Sequence, residues 1–528
     1  MTVTVLQRIL FVAGMIALSA RPSYSAGSDP SEALYDPDHV LNISITLDPR
    51  DWDRLRFQIP DYVNSFGFDC EGSIDGTPYD YFPADITIDG ESITDAGVRK
   101  KGLYGSLSTT RPSLKISFNE YSADRSYHGI KNITLNNNRQ DPSLLKQCLS
   151  YRLFADAGVP ASRCNFAHVF VNGSDLGIYS NVEPVKKDFL KRNFRDGSGN
   201  LYEGTLADFR PITEWTSRLQ KKTNSREDDW TDVTELIRVL ELPDHELLDS
   251  LERILAIDAF ITFWAMEVLI GHSDGYTTNT NNYYFYHNPV SGTFEFIPWG
   301  LDITLSPDDD DEHPSEPLSV KANSIIARRL YRLPETRGKY ISTMEALLDT
   351  VWDSEALLAQ LQHLEGLLRP YLPPDEQDRF SGAVGTVRRF ISNRESVIRT
   401  ELLEGPPDWN FPLRESSCLR LSQCFIATAA FGSPLEGRVH ILREFRDSYI
   451  GTNAPGRMLL KLYCRYSPPL ARYIAGRPVL RAVIRAMLVP LAAFAGLALH
   501  VGIIPLAAVM LLAGLCTGLV CVCRARQP

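Results

Sequence analysis

A chain of 528 residues with 44% hydrophobic side chains is long enough for two or three domains with sizeable cores. Its formal net charge of -11 argues against a nucleic-acid partner, which calls for a basic face. The 10% aromatic content argues against a mainly disordered chain.

Residues 1–25 read as a signal peptide. Arg8 gives a positive start, an apolar run spans Ile9 to Ala20, and Ser23-Tyr24-Ser25 offers small residues for cleavage after Ser25. That run is shorter than the roughly 20 residues a membrane span needs. A Ser/Asp/Pro-rich linker follows, and 26–97 reads as an N-terminal β-rich region. Leu41, Ile43, Ile45 and Leu47 alternate as on a strand. Asp48-Pro49 opens a short helix with Trp52 and Leu55. Strands are expected at Ala84–Gly90, Val98–Gly102, Leu114–Phe118 and Asn132–Leu135. A helix should start at Asp141 as N-cap with Pro142 in its first turn, and stop at Gly158. Val169 to Tyr179 reads as a hairpin turning at Asn172-Gly173, and Glu183-Pro184 starts a helix to about Phe194. Residues 205–243 read as a charged insertion or mobile loop, and Asp244 to Leu269 as one long helix with a buried second half. Helices are expected from about 312 to Leu403, and Gly405-Pro-Pro407 marks a boundary.

The chemistry is expected between Gly271 and Asp302. A polar loop carries Asp274, Asn279, Asn281 and Asn282; Tyr283–His287 and Thr293–Pro298 read as a hairpin, and Asp302 follows it. Antiparallel pairing brings the start of the first strand beside the end of the second, so Asn282 and Asp302 should be neighbours. Two carboxylates and an amide oxygen at one mouth suit a hard divalent cation that shares ligands with phosphates. A kinase uses that order: a catalytic Asp, an Asn for metal, and an Asp after a short hairpin. The letters differ, with no His-Arg-Asp and no Asp-Phe-Gly. Single Asp residues at turns are commonly mere caps, so the weight rests on the three together. His272 has no triad partners and no Gly-x-Ser-x-Gly elbow is present, which disfavours serine-hydrolase chemistry.

Taken together, Arg99-Lys-Lys-Gly-Leu-Tyr-Gly-Ser106, Arg111-Pro-Ser-Leu-Lys115, Leu135-Asn-Asn, Asp141-Pro-Ser143, Val171-Asn-Gly173, Gly177-Ile-Tyr179, Glu183, Asp274, Asn282-Tyr-Tyr284 and Ile297-Pro-Trp-Gly-Leu-Asp302 resemble the CotH family of spore-coat kinases. The resemblance implies an α+β, atypical protein-kinase-like fold over 98–404, with a β-rich N-lobe and a mainly helical C-lobe. It implies metal-dependent transfer of phosphate from ATP to Ser/Thr hydroxyls of a protein substrate, with Mg2+ or Mn2+. By position, Asp274 would be catalytic, and Asn282 and Asp302 metal ligands. The loop from Gly102 to Ser108, with Gly105 and Ser106, would cover the phosphates. Lys115 would contact the phosphates, with Lys100, Lys101 and Arg111 competing for that role, and Glu183, on a helix, would pair with Lys115. Similar sequences often read Trp-Asp-x-Asp where this one has Trp299-Gly-Leu-Asp302. The missing carboxylate at Gly300 keeps open an inactive surface-assembly protein, and AMP transfer is a further alternative.

After a linker at 405–423, Cys424-Phe-Ile-Ala-Thr-Ala-Ala-Phe-Gly-Ser433, Leu442-Arg-Glu-Phe-Arg-Asp447 and Tyr466-Ser-Pro-Pro469 resemble a CFIATAA-type module at the ends of bacterial exported proteins, here 424–480. From Ala486 to Cys523 the only strongly polar side chain is His500, so 486–523 reads as a transmembrane region of one tilted span or two short ones. The expected location is exported and membrane-anchored, at the cell surface or periplasmic side. Nine cysteines include no zinc-type CxxC pair; Cys148–Cys164 and Cys418–Cys424 are candidate disulfides in an exported chain.

Overall fold

The computed structural model describes residues 29–58, 79–102, 106, 108–210, 218–307, 316–413, 425–431, 437–450, 458–459, 462–463, 467, 470, 473–474 and 477–501. The expected signal peptide, Gly105, Cys418 and Cys424 lie outside these residues. The chain forms two compact units, one comprising Met1–Gln58 with Tyr79–Arg414, the other Ile59–Pro78 with Glu415–Pro528.

The first unit begins with β1 (Val40–Thr46), α1 (Pro49–Phe57), β2 (Phe82–Ile88), β3 (Glu91–Lys100), β4 (Leu114–Ser117) and β5 (Asn132–Asn136). Asp48 caps α1 by accepting from the Arg50 N–H at 2.7 Å, as the sequence implies. Next come α2 (Lys146–Asp156), β6 (Cys164–Val171) and β7 (Ser174–Val182). Asn172 and Gly173 both have positive φ, the geometry of the tight hairpin turn expected there. The seven strands close into a barrel in the order β1-β2-β3-β4-β5-β7-β6, shut by parallel pairing of β1 with β6. Alternate residues such as Ile43, Ile86, Val98, Ile116, Leu135 and Val169 fill its interior, each contributing about 1.5–3 kcal/mol by burial. The boundary expected at residue 97 falls inside β3, so residues 26–97 and 98–404 are not separate domains.

The remainder is α3 (Lys187–Phe194), β8 (Asn200–Gly204), β9 (Leu219–Lys221), α4 (Thr231–Leu240), α5 (Asp244–Leu251), α6 (Ile257–Leu269), α7 (Tyr276–Asn279), β10 (Tyr283–Asn288), β11 (Thr293–Pro298), α8 (Ile325–Arg332), α9 (Pro334–Thr350), α10 (Ser354–Leu368) and α11 (Pro374–Leu403). A second sheet runs β11-β10-β8-β9. The unit is thus α+β, sheet-rich first and helical later, with a closed barrel that the sequence reading did not foresee.

Three local expectations are corrected. The segment 205–243 contains β9 and α4 rather than only an insertion. The helix expected at 244–269 is two helices, because the intervening backbone bonds to β11: Ala256 N–H donates to Phe294 O at 3.0 Å, and Phe294 N–H to Ile254 O at 2.7 Å. The helix expected from Asp141 starts at Lys146; Asp141 folds a turn, accepting from Ser143 N–H and Lys146 N–H, both at 2.9 Å. Cys148 and Cys164 form a disulfide joining α2 to β6.

In the second unit, α12 (Phe425–Phe431) and α13 (Gly437–Phe445) both lie along α14 (Pro478–Val501). Ala427, Ala430, Ala492, Ala495 and Ala498 are buried, small side chains that let helices approach closely. Arg485 donates to Ala430 O at 3.0 and 3.1 Å. Residues Val479–Leu499, with mean hydropathy 2.1, are long and apolar enough to cross a membrane.

Candidate functional site

The loop after α6 is held by a buried carboxylate. Glu267, in the last turn of α6, has no exposed surface. It accepts from Tyr276 N–H at 2.9 Å, Thr277 N–H at 2.8 Å and the Thr277 hydroxyl at 2.8 Å, clamping α7 against α6. Buried His272 lies 3.5 Å from the same carboxylate. A side chain at Gly275 would have its Cβ 2.5 Å from Glu267 Oε1 and 2.6 Å from His272 Nδ1, so this close approach requires glycine. The clamp presents Asp274 to three asparagine amides. Asn279 Nδ2 and Asn281 Nδ2 (3.1 Å) donate to its Oδ1, and Asn282 Nδ2 donates to Oδ2 at 2.7 Å.

The β10–β11 hairpin pairs Tyr283 with Pro298, and Trp299 N–H donates to Asn282 O at 3.2 Å. The chain then reaches Asp302 within electrostatic range of Asp274. Burial lifts the Asp302 pKa to about 6; the Asp274 and Asp141 carboxylates push the same way, against a backbone hydrogen bond and Lys101. Lys101 enters from the end of β3. Its ammonium donates to Asn136 Oδ1 and lies 5.7 Å from the Trp299 ring centre. Burial lowers the Lys101 pKa to about 8, opposed by the Asp302 and Glu203 carboxylates.

These groups fit a divalent cation. Among the described residues no three His, Cys, Asp or Glu side chains gather as a metal cage. Magnesium commonly takes one or two carboxylates and completes its shell with water and phosphate oxygens. Asp302, crowded by like charge, supplies a carboxylate. The buried Asn279 Oδ1 has no hydrogen-bond partner, whereas Asn281 Oδ1 is used by Leu206 N–H at 3.1 Å. Asn279 thus has an amide oxygen free to meet a cation, a position to which the sequence analysis gives no role. The signal was present: His272-Ser-Asp274 followed five residues later by Asn279 has the His-x-Asp-x4-Asn spacing of a kinase catalytic loop.

Residues 98–398, more than half of the chain, match the family described as CotH kinase protein. The chain belongs to the CotH kinase family. Its relatives include inner spore coat protein H of Bacillus subtilis (strain 168), 24% identical over 307 residues, 55% of this chain and 83% of that protein. Inner spore coat protein H-like protein of the same organism is 26% identical over 252 residues, 48% of this chain and 72% of that protein. Spore coat protein homolog 1 of Rhizopus delemar is 20% identical over 268 residues, 48% of this chain and 40% of that protein.

The other residues singled out by the CotH resemblance divide. Gly102, with φ +78°, packs against Ser106, whose Oγ accepts from the Ser113 hydroxyl at 3.0 Å. That bond ties Ser106 to the residue just before β4, the strand that carries Lys115. Lys115 stands on β4 opposite Arg99, and does not meet Glu183. The expected Glu183–Lys115 pair is corrected: Glu183 follows β7, not a helix, and its buried carboxylate pairs with Arg163 at 2.9 Å and with Arg192. The lysine facing Asp302 is Lys101. Gly300 has φ +58°, and a Cβ there would lie 2.6 Å from Asn282 Cγ and Oδ1. Asn282 thus fills the space that a side chain at position 300 would occupy.

Proposed function

We propose that the chain is a metal-dependent protein kinase that moves the γ-phosphoryl group of ATP to a Ser or Thr hydroxyl of proteins at the cell surface. The observation that carries this reading is the convergence of Asp274 in its asparagine cradle, Asp302 and Lys101 at one site. Family membership supports the kinase chemistry and the spore-coat relatives a surface setting. The order Lys101, Asp274, Asn279, Asp302 supports a kinase-like arrangement built on a closed barrel. The apolar α14 supports a membrane tether.

Asp302, with the amide oxygens of Asn279 and Asn282, would hold magnesium or manganese. When bound, that cation neutralises charge on the phosphates. Lys101 brings its ammonium to the phosphate oxygens, and the Gly102–Ser108 loop covers them. Asp274, its carboxylate fixed by three amides, aligns the substrate hydroxyl and accepts its proton. The hydroxyl oxygen bonds to the γ-phosphorus, the bond from that phosphorus to the β–γ bridging oxygen breaks, and ADP leaves with the electron pair. The residues contribute positioning and charge compensation.

The test is labelling of the purified full chain with γ- and α-labelled ATP and magnesium or manganese, beside Asp302→Ala and Lys101→Met. Transfer of γ-label, lost in both variants, is the expected result. Transfer of α-label means adenylyl transfer. Absence of label together with absence of metal-dependent ATP binding overturns the kinase reading and leaves a surface-assembly protein.

A further inference from the structure

The outer face of the barrel carries more positive charge than this chemistry uses. Arg99 and Lys115 are register partners across β3 and β4, so their side chains share one face. Lys101 lies just past the end of β3, two residues beyond Arg99 and about 7 Å away at the strand rise. Lys186, just before α3, reaches the same place: its ammonium is within hydrogen-bonding reach of the Lys115 ammonium and donates to Asn132 Oδ1 of β5 at 3.1 Å. Lys222 joins from the second sheet, near enough to act on Lys115. Two ammonium groups in contact repel unless an anion bridges them or one is neutral. Burial, then Lys186 and Arg99, drives the Lys115 pKa to about 6. Arg99 Nε is buried without a partner. Lys186 and Lys222 are exposed and Arg99 and Lys115 half-buried, so a ligand can reach them.

Glu203 divides this cluster from the catalytic lysine. Its carboxylate binds Lys222 at 2.5 Å and faces Lys101. Burial raises its pKa, but Lys222, Tyr284 and Lys101 outweigh that and hold it below the ordinary value. An anionic wall at this point opposes one continuous triphosphate lying along both cationic groups. One guanidinium and three lysine amines, with Lys115 taking up its proton as the anion arrives, match the several oxygens of a phosphate dianion better than a lone carboxylate.

We propose that Arg99, Lys115, Lys186 and Lys222 form a second anion subsite that takes a phosphoryl group already present on the protein substrate. The enzyme then favours a hydroxyl near an existing phosphate. As a statement about substrate choice this rests on the kinase reading; as a statement about binding it does not.

The experiment uses the full chain and a short synthetic peptide with one serine and one phosphoserine, beside its unphosphorylated twin. Binding of both peptides and of ATP with magnesium is measured for wild type, for Asp302→Ala and for the double variant Lys115→Gln/Lys186→Gln. The phosphopeptide should bind at least about tenfold tighter than its twin. The double variant should erase that preference while ATP affinity stays within about threefold. Asp302→Ala should keep the preference even where ATP binding is lost, so failure of the nucleotide site and failure of this subsite are read separately. Equal binding of the twins to wild type overturns the proposal. A parallel fall in ATP affinity in the double variant also overturns it, assigning the cluster to the nucleotide phosphates. The double variant should melt no lower than wild type, because like charges are removed; a lower melting temperature overturns the proposal by making the cluster structural.

Discussion

Gly300→Ala tests the packing at the heart of the site. The new Cβ would lie 2.6 Å from Asn282 Cγ and Oδ1 and 2.9 Å from Nδ2, against an ordinary contact of 3.4 Å or more. Asn282 cannot retreat freely, because its amide donates to Asp274 Oδ2 at 2.7 Å and its own φ is +53°. A left-handed backbone costs an L-residue about 1–2 kcal/mol. Overpacking adds about 1–3 kcal/mol, so the substitution should destabilise by about 2–5 kcal/mol in total. All seven tryptophans lie between Trp52 and Trp409, so fluorescence-detected denaturant unfolding of the full chain reports the unit that holds the site. In Asn282→Ala/Gly300→Ala the clash disappears while the backbone cost stays, giving a coupling of about 1–3 kcal/mol in a double-mutant cycle. A single-variant cost within about 0.5 kcal/mol, with additive cycle energies, would refute the packing argument.

Glu267→Gln keeps the clamp's shape but weakens a charge-assisted set of three hydrogen bonds; turnover should fall about 10- to 100-fold with little change in the KM for ATP, checked by steady-state kinetics. Glu183→Ala leaves Arg192 without its carboxylate and Arg163 with only that of Asp29, and should cost about 3–5 kcal/mol of stability, while ATP affinity measured on the folded protein is unchanged; a large loss of ATP affinity would restore a direct role for Glu183. In the proposed site Asp302 would have to lose its proton to bind metal. With its pKa raised from 3.8 to about 6, metal affinity should be full above that pH and fall about tenfold per unit below it, and titration calorimetry should detect proton release on binding. Asp302→Asn should flatten that pH dependence.

The parts of the fold that were legible from sequence are those specified locally. Alternating Phe294 and Phe296, with the Asn288–Gly292 turn, marked the β10–β11 hairpin, and the hairpin implied that Asn282 and the Asp302 segment would be neighbours. The rest depends on partners distant in the chain. Nothing near Ile254 announces its bond to Phe294, so the break between α5 and α6 was invisible. Lys101 and Lys115 are equivalent as letters, and only the register of β3, β4 and β5 decides which meets Asp302. Glu183 looked like a helix residue because Pro184 follows it, yet Arg163 across β6 and β7 claims its carboxylate. Asn279 is different: its spacing from His272 and Asp274 was readable and was passed over in favour of Asn282.

The closure of the barrel also fixes a sequence of events in time. Val40 at the head of β1 pairs with Phe166, and Ile45 with Val171. A chain emerging from its N-terminus therefore exposes β1 and β2 well before the strand that completes them exists. Until β6 appears, the Ile43 and Ile45 row borders an unpaired edge, a template for mispairing with other chains. Pairing so distant in sequence should make barrel closure a slow step of folding, and should make this segment the one that most benefits from a chaperone during synthesis.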